Sequence, residues 1–325
     1  MRVAILDDFQ NAAKISADWS RVEKQAQITV FNDHVKGIDA VTDRLKDFDI
    51  VVIMRERTPF PREQLERLPK LKLLATSGMV NRSIDLAAAT ERGIVVSGTD
   101  NVGTTTSELT WGHILSLVRS IPQEDRATRE GKWQTSLGTG LAGKTLGVLG
   151  LGKVGSRVAK IGLAFGMNVI AWSQNLTEAR CAEVGVKYAG SKQALLSNAD
   201  VVTIHLALSD RTRGLLGKAE IALMKPSAYL VNTSRGPIVE QAALIEALQA
   251  GKIAGAGIDV YDVEPLPLDH PMRRLPRSVL TPHLGYVSDE NYRVFYGGSA
   301  ENVAAFLDGK PLRVLNPDAL AKTKA

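Results

Sequence analysis

Three ionisable side chains stand just past apolar runs in the second half of the 325-residue chain. Arg235 lies in "VNTSRGPIVE", Glu264 in "GIDVYDVEPLP" and His283 in "LTPHLGY". A guanidinium binds planar anions, a carboxylate fixes a neighbouring cation, and an imidazole carries a proton near neutral pH. Each of the three is flanked by turn-formers after a strand-like run. Each can therefore reach the cleft at the strand ends, where ligands collect in an open α/β sheet. A fourth feature precedes them. Gly150, Gly152 and Gly155 form G-x-G-x-x-G between the strand-like "LGVL" and the helix-like "KVGSRVAKIGLAFG". In that context the first glycine permits the tight turn, the second lets a pyrophosphate approach the backbone, and the third lets helix and strand pack closely. The helix N-terminus then offers free N–H groups to phosphate.

The strand after that helix, "MNVIAW", ends in Ser173, Gln174 and Asn175, where a carboxylate usually binds the adenosine ribose and repels a 2′-phosphate. The polar ending lifts that repulsion without supplying an arginine at once; Arg180 follows a helical turn later. The expected cofactor is NAD or NADP, with a slight lean to NADP.

Strands and helices alternate along the whole chain, which predicts parallel sheets with helices on their faces. "RVAIL", "QITVF", "DIVVIM", "LKLLAT" and "GIVVSG" form a first series. A helix of about residues 105–119 and a polar loop, "IPQEDRATREGKW", lead to a second series: "KTLGVLG", "NVIAWS", "DVVTIHLA", "SAYLVN", "IAGAGIDVY" and "SVLTPH". A further helical stretch runs from "SDENY" to "FLDG", and the tail returns toward the first unit.

The net charge of +5 is spread out, and its densest group, "RRLPR", is a short Pro-containing loop, so no nucleic-acid partner is expected. No apolar run reaches the ~20 residues of a membrane span. "MRVAILDDFQ" reads as a strand rather than a signal peptide, and the single cysteine, Cys181, excludes an internal disulfide, so a cytoplasmic protein is expected. No His/Cys/Asp cluster has metal-ligand spacing.

With these motifs in this order, joined by "LPKLKLL" and "TSELTWGHILSLVR", the chain resembles the D-isomer-specific 2-hydroxyacid dehydrogenases, the group holding glyoxylate, hydroxypyruvate and phosphoglycerate dehydrogenases. The resemblance implies a Rossmann dinucleotide-binding domain, residues 100–286, inserted into a flavodoxin-like α/β substrate domain, residues 1–99 plus 287–325. It implies that Arg235 binds the carboxylate and carbonyl oxygen of a small 2-keto acid. It further implies that His283 donates the proton to that oxygen as hydride arrives, and that Glu264 pairs with His283. Asp259 is placed by it at the nicotinamide. The cofactor-lining positions it implies also include Lys153, Val154, His205, Leu206, Ala207, Thr212, Thr233, Ser234 and Gly285. His34, His113 and His270 are read as structural.

On the substrate side the sequence departs from the family, because Val80 stands where a second glycine is common in "ATSGMVNRSIDL". Ser77, Gly78 and Met79 are expected to cradle the substrate carboxylate, with Arg55 as a candidate for a second anionic group. Tyr286 fills a place where a small residue is frequent. The resemblance implies a homodimer. It also reaches dinucleotide-sensing corepressors, so a binding protein without turnover stands as the alternative.

Overall fold

A computed structural model describes residues 1–322, and the chain divides into two compact units, residues 1–102 with 288–325, and residues 103–287. In the first unit the strands are β1 (Arg2–Ile5), β2 (Gln27–Val30), β3 (Ile50–Ile53), β4 (Leu73–Thr76) and β5 (Val95–Ser97). All pairings are parallel, in the order β2-β1-β3-β4-β5. This is the flavodoxin-like order. β3, β4 and β5 are buried along their length, which is why they read as continuous apolar runs rather than alternating ones. The tail returns to this sheet: Gly98 N–H donates to Arg313 O, Leu315 N–H to Val96 O, and the Asn316 amide caps Val96 and Ile94.

The second unit holds β6 (Thr145–Leu149), β7 (Asn168–Trp172), β8 (Lys187–Tyr188), β9 (Val201–Ile204), β10 (Tyr229–Asn232), β11 (Gly255–Ile258) and β12 (Ser278–Leu280). They pair in parallel in the order β12-β11-β10-β9-β6-β7-β8, the doubly wound Rossmann arrangement. The order reverses between β6 and β9, so a crevice opens at their C-terminal ends. Apolar clusters cover both faces of this sheet, one around Leu195, Leu230 and Leu248, the other around Ile114, Val148 and Val158.

Two local expectations differ from the structure. The stretch expected as a polar loop contains a helix, Ile121–Arg129. Pro122 sits in its first turn with Glu124, Arg126 and Arg129 crowd its last turn, and Arg129 bonds Asp125 one turn away. Its stabilisation is local and electrostatic, so no apolar stripe announced it. β8 is two residues at the sheet edge, too short to show a pattern.

Candidate functional site

The glycine cradle forms at the reversal point. Gly150 has φ +97°, and a Cβ there would come within 2.6 Å of His205 O. A Cβ on Gly155 would come within 1.9 Å of Gly150 O, so the turn closes only with glycine at both places. Nothing lies within 4 Å of a Cβ built on Gly152, so the packing does not need that glycine and the space beside it is open. Gly152 is also the N-cap of the helix Lys153–Ala164 and supplies no side-chain cap, leaving the first-turn N–H groups of Lys153, Val154 and Gly155 for a ligand. Open space, donors and positive helix end together fit a dinucleotide pyrophosphate.

β7 ends level with β6, with Leu149 beside Trp172, and Gly150 N–H donates to Trp172 O at 2.9 Å. Ser173 therefore lies next to the cradle, with Gln174 and Asn175 exposed beyond it. Arg180 reaches back across this end: Nη2 donates to Ser156 Oγ at 3.2 Å, and Nη1 pairs with Glu183 at 2.8 Å.

On the other side of the crevice, His205 follows β9 and bonds Thr203 Oγ1 through Nε2 at 2.9 Å. Leu206 borders Gly150, and the Thr212 hydroxyl closes the following turn by donating to Ala207 O at 2.7 Å. Thr233 and Ser234 follow β10. Thr233 is buried and bonded to Thr110, and Ser234 Oγ donates to Ile204 O at 2.7 Å, so both hydroxyls tie elements together.

The three ionisable groups come to the ends of neighbouring strands. Arg235 leaves β10 in extended conformation, with Nη1 bonded to Ser234 O at 2.7 Å. Gly236 packs so closely on Tyr261 that a Cβ would fall 2.2 Å from its carbonyl carbon, which draws the Arg235 turn against the loop carrying Glu264. Glu264 Oε2 meets His283 Nδ1 at 2.6 Å, and Tyr261 N–H donates to Oε1 at 2.9 Å. Burial pushes the Glu264 carboxyl up, but the His283 hydrogen bond and charge, the Tyr261 N–H and the Arg235 charge outweigh it and hold the group below its ordinary 4.5. Among the described residues no hydrogen bond to the remaining ring nitrogen, Nε2, accompanies this one. Tyr286 stands edge-on to that ring, the centroids 5.5 Å apart.

Asp259, expected at the nicotinamide, follows β11. It is 0% exposed, and its carboxylate accepts from Thr281 Oγ1, Leu284 N–H and Gly285 N–H. Every one of these partners belongs to the segment that carries His283, so Asp259 supports that segment from below. Gly285 is held in the same network, its N–H by Asp259 and its carbonyl by Thr105 and Thr106. Sequence reasoning missed Thr105, Thr106 and Thr281; the run "TTT" opening a helix and a Thr two places before His283 were the available signals.

The substrate-side residues form a separate cluster in the first unit. The residues expected to cradle the substrate carboxylate are Ser77, Gly78 and Met79. Ser77 N–H donates to Ile53 O at 3.2 Å and Gly78 N–H to Thr99 Oγ1 at 2.9 Å, which ties the loop to β3 and to the end of β5. Met79 and Val80 are exposed. Arg55 has φ +54°, its N–H donates to Ser77 Oγ and its Nη1 to Ser77 O at 3.1 Å, holding the guanidinium over this loop.

The other histidines are engaged locally. His34 bonds Asp7 at 2.8 Å, and His270 joins Gln241 to the Met272 N–H. Among the described residues no group of three or more His, Cys, Asp or Glu could hold a metal ion, and no helix is long and apolar enough to cross a membrane.

Comparison with known proteins matches residues 111–285 to the family model described as D-isomer specific 2-hydroxyacid dehydrogenase, NAD binding domain. A D-3-phosphoglycerate dehydrogenase of Methanocaldococcus jannaschii is 35% identical over 95% of this chain, which spans 58% of that relative's length. A glyoxylate reductase of Aeropyrum pernix is 41% identical over 76% of each chain. The crystal structure of a phosphoglycerate oxidoreductase from Vibrio cholerae superposes with a TM-score of 0.89 at 37% identity, covering 95% of this chain and 99% of the other. Family model and sequence relatives agree, and the chain belongs to the D-isomer specific 2-hydroxyacid dehydrogenase family.

Proposed function

We propose that the protein reduces the carbonyl of a small 2-keto acid of the glyoxylate or hydroxypyruvate kind to a D-2-hydroxy acid, using a nicotinamide dinucleotide. The observation that carries this reading is the 2.6 Å contact between His283 Nδ1 and Glu264 Oε2, with the Arg235 charge acting on the same carboxylate. Because Glu264 holds Nδ1, the proton for the substrate sits on Nε2. The Arg235 fork binds the keto acid's carboxylate and carbonyl oxygen, a planar target that matches a guanidinium. His283 gives its Nε2 proton to the carbonyl oxygen as the alkoxide develops, and takes it back in the oxidative direction. Bound on the cradle of Gly150, Gly152 and Gly155, the dinucleotide supplies the hydride. A sensing protein without turnover has no use for a carboxylate-oriented imidazole beside a guanidinium, and the enzyme reading is preferred for that reason.

The preferred cofactor is NADPH. No carboxylate stands at residues 173–175 to repel a 2′-phosphate, and Arg180 is bonded to the first turn of the cradle helix through Ser156. Met79 supplies the carboxylate-binding amide in the first unit, and Arg55 beside it favours substrates with a second anionic group. The active form is a homodimer in the cytoplasm. The second unit leaves Trp133 79% and Leu137 99% exposed, with Ile121 and Phe165 also exposed, apolar side chains that a second protomer would cover. Light scattering on the full chain tests this; a monomer at micromolar concentration contradicts it.

The deciding experiment is steady-state reduction of glyoxylate and hydroxypyruvate by the wild type and by His283→Asn. Turnover that the substitution removes is the expected result. Absence of turnover with a panel of 2-keto acids and both cofactors contradicts the proposal.

A further inference from the structure

A chain of hydrogen bonds runs beneath the His283 loop from a residue outside the reacting groups. His113, on the helix Thr105–Val118, is 1% exposed, and its Nε2 lies 2.8 Å from Thr281 Oγ1. Thr281 Oγ1 lies in turn 2.6 Å from Asp259 Oδ1. That same Oδ1 accepts Leu284 N–H at 2.7 Å, Oδ2 accepts Gly285 N–H at 3.0 Å, and His283 N–H donates to the Asp259 carbonyl at 2.8 Å. The same helix grips the loop from its other end, with Thr105 and Thr106 each donating to Gly285 O at 2.8 Å. The loop needs this hold. His283 has φ +56°, a left-handed conformation that a β-carbon disfavours and that persists only where the surroundings impose it.

The direction of the chain follows from its donors. A hydroxyl has one proton, and a carboxylate only accepts. Thr281 therefore donates to Asp259, its oxygen accepts from His113, and the His113 proton lies on Nε2. Nδ1 of His113, packed against Gly257, has no partner among the described residues. The opposite direction needs a protonated Asp259 and strands the ring proton on that unpartnered nitrogen, a buried donor with nothing to bond. Burial also keeps the ring neutral, pushing His113 down to about 4.

We infer that His113, as the Nε2–H tautomer, is a positioning residue for the reduction. It turns the Thr281 hydroxyl onto Asp259, so that Asp259 holds residues 283–285 in the conformation that presents His283. The inference rests on the reading of His283 as the proton donor. The titratable groups facing Asp259 are His283 from the loop after β12 and Tyr261 after β11, with Glu264 and Arg235 acting on these in turn. His113 is the group that faces it from the helix.

Two experiments on the full chain test this separately from the reaction. Long-range proton–nitrogen NMR of the histidine rings is expected to show His113 protonated at Nε2 and not at Nδ1 from pH 6 to 8; an Nδ1–H ring overturns the inference whether or not the protein turns over. Kinetically, His113→Leu is expected to lower kcat about tenfold with little change in the cofactor KM. His113→Gln keeps an amide donor and is expected to recover most of kcat, a rescue that a filler role would not give. If His113→Leu matches the wild type in kcat, or if Gln fails to rescue it, the inference is wrong. Should the Leu variant not fold, Thr281→Ser against Thr281→Val makes the same comparison, with Ser expected to be active and Val impaired. Failure of the wild type on every 2-keto acid would reject the proposed function instead and leave the NMR result standing.

Discussion

The loops at the strand ends of the two sheets use their polar groups in opposite ways. In the second unit, backbone donors and buried side chains are spent on support: Asp259 on the His283 segment, Tyr261 N–H on Glu264, Ser234 on the end of β9. Three ionisable groups are thereby held at the ends of neighbouring strands. In the first unit, support consumes much of what would bind. Ser77 and Gly78 give their N–H groups to neighbours, and Arg55 rests on Ser77 O. A site that moves protons tolerates little slack, because a misplacement of about 1 Å can cost 10²-fold. A site that selects among small acids can be rebuilt by a few side chains. On the proposed function, the groups that move the proton lie in the second unit, and the proposed substrate-side residues in the first.

Substitutions sharpen this contrast. His283→Asn removes the proton donor itself and is expected to lower kcat about 10³-fold, with KM for the cofactor little changed. Glu264→Gln leaves the ring in place without its carboxylate, and kcat should fall about 10²-fold. The same variant carries a stability signature. Glu264 titrates below its ordinary 4.5 in the folded protein, so its contribution is complete above that value and disappears as pH falls through the lower folded value. The melting temperature of the wild type should exceed that of Glu264→Gln at pH 7, and the gap should close below pH 4.5; a gap that widens in acid contradicts the pairing. Arg180→Gln should cut kcat/KM for NADPH about tenfold and leave NADH within twofold, since only the 2′-phosphate meets that side chain. Equal losses with both cofactors would make Arg180 structural. The smallest effect belongs to the first unit. Arg55→Gln should raise KM several-fold for keto acids bearing a second anionic group and leave glyoxylate unaffected, with kcat unchanged for both.

His113 offers a pH test of burial as well as of position. Its folded value of about 4 lies below the ordinary 6.5, so the unfolded chain takes up a proton first as pH falls. Stability should decline between pH 6.5 and 4 by up to about 3 kcal/mol on this account, and His113→Leu should flatten that part of the curve.

Much of this was readable before any coordinates. Buried parallel strands are continuous apolar runs, so both sheets and the cradle announced themselves, as did the fold class they make. What the sequence hid was of two kinds. The helix Ile121–Arg129 is held by its own charges and first-turn proline, so periodicity missed it, and β8 is too short to have a period. The other kind is connectivity. That Asp259 supports the His283 loop, that Thr281 joins it to His113, and that the Ser77 and Gly78 amides bond neighbouring strands all depend on which groups meet across strands. Nothing in the spacing of 113, 259 and 281 brings those three together; the order of β11, β12 and the helix beside them does.

The most direct measurement is kcat/KM of the wild type for hydroxypyruvate and glyoxylate with NADPH and with NADH under identical conditions, followed by the nicotinamide absorbance. Turnover of both acids, with NADPH preferred, is the expected result. No reduction of any small 2-keto acid with either cofactor, by a protein whose melting temperature rises on adding NADPH, would contradict the reductase reading while leaving the cradle intact.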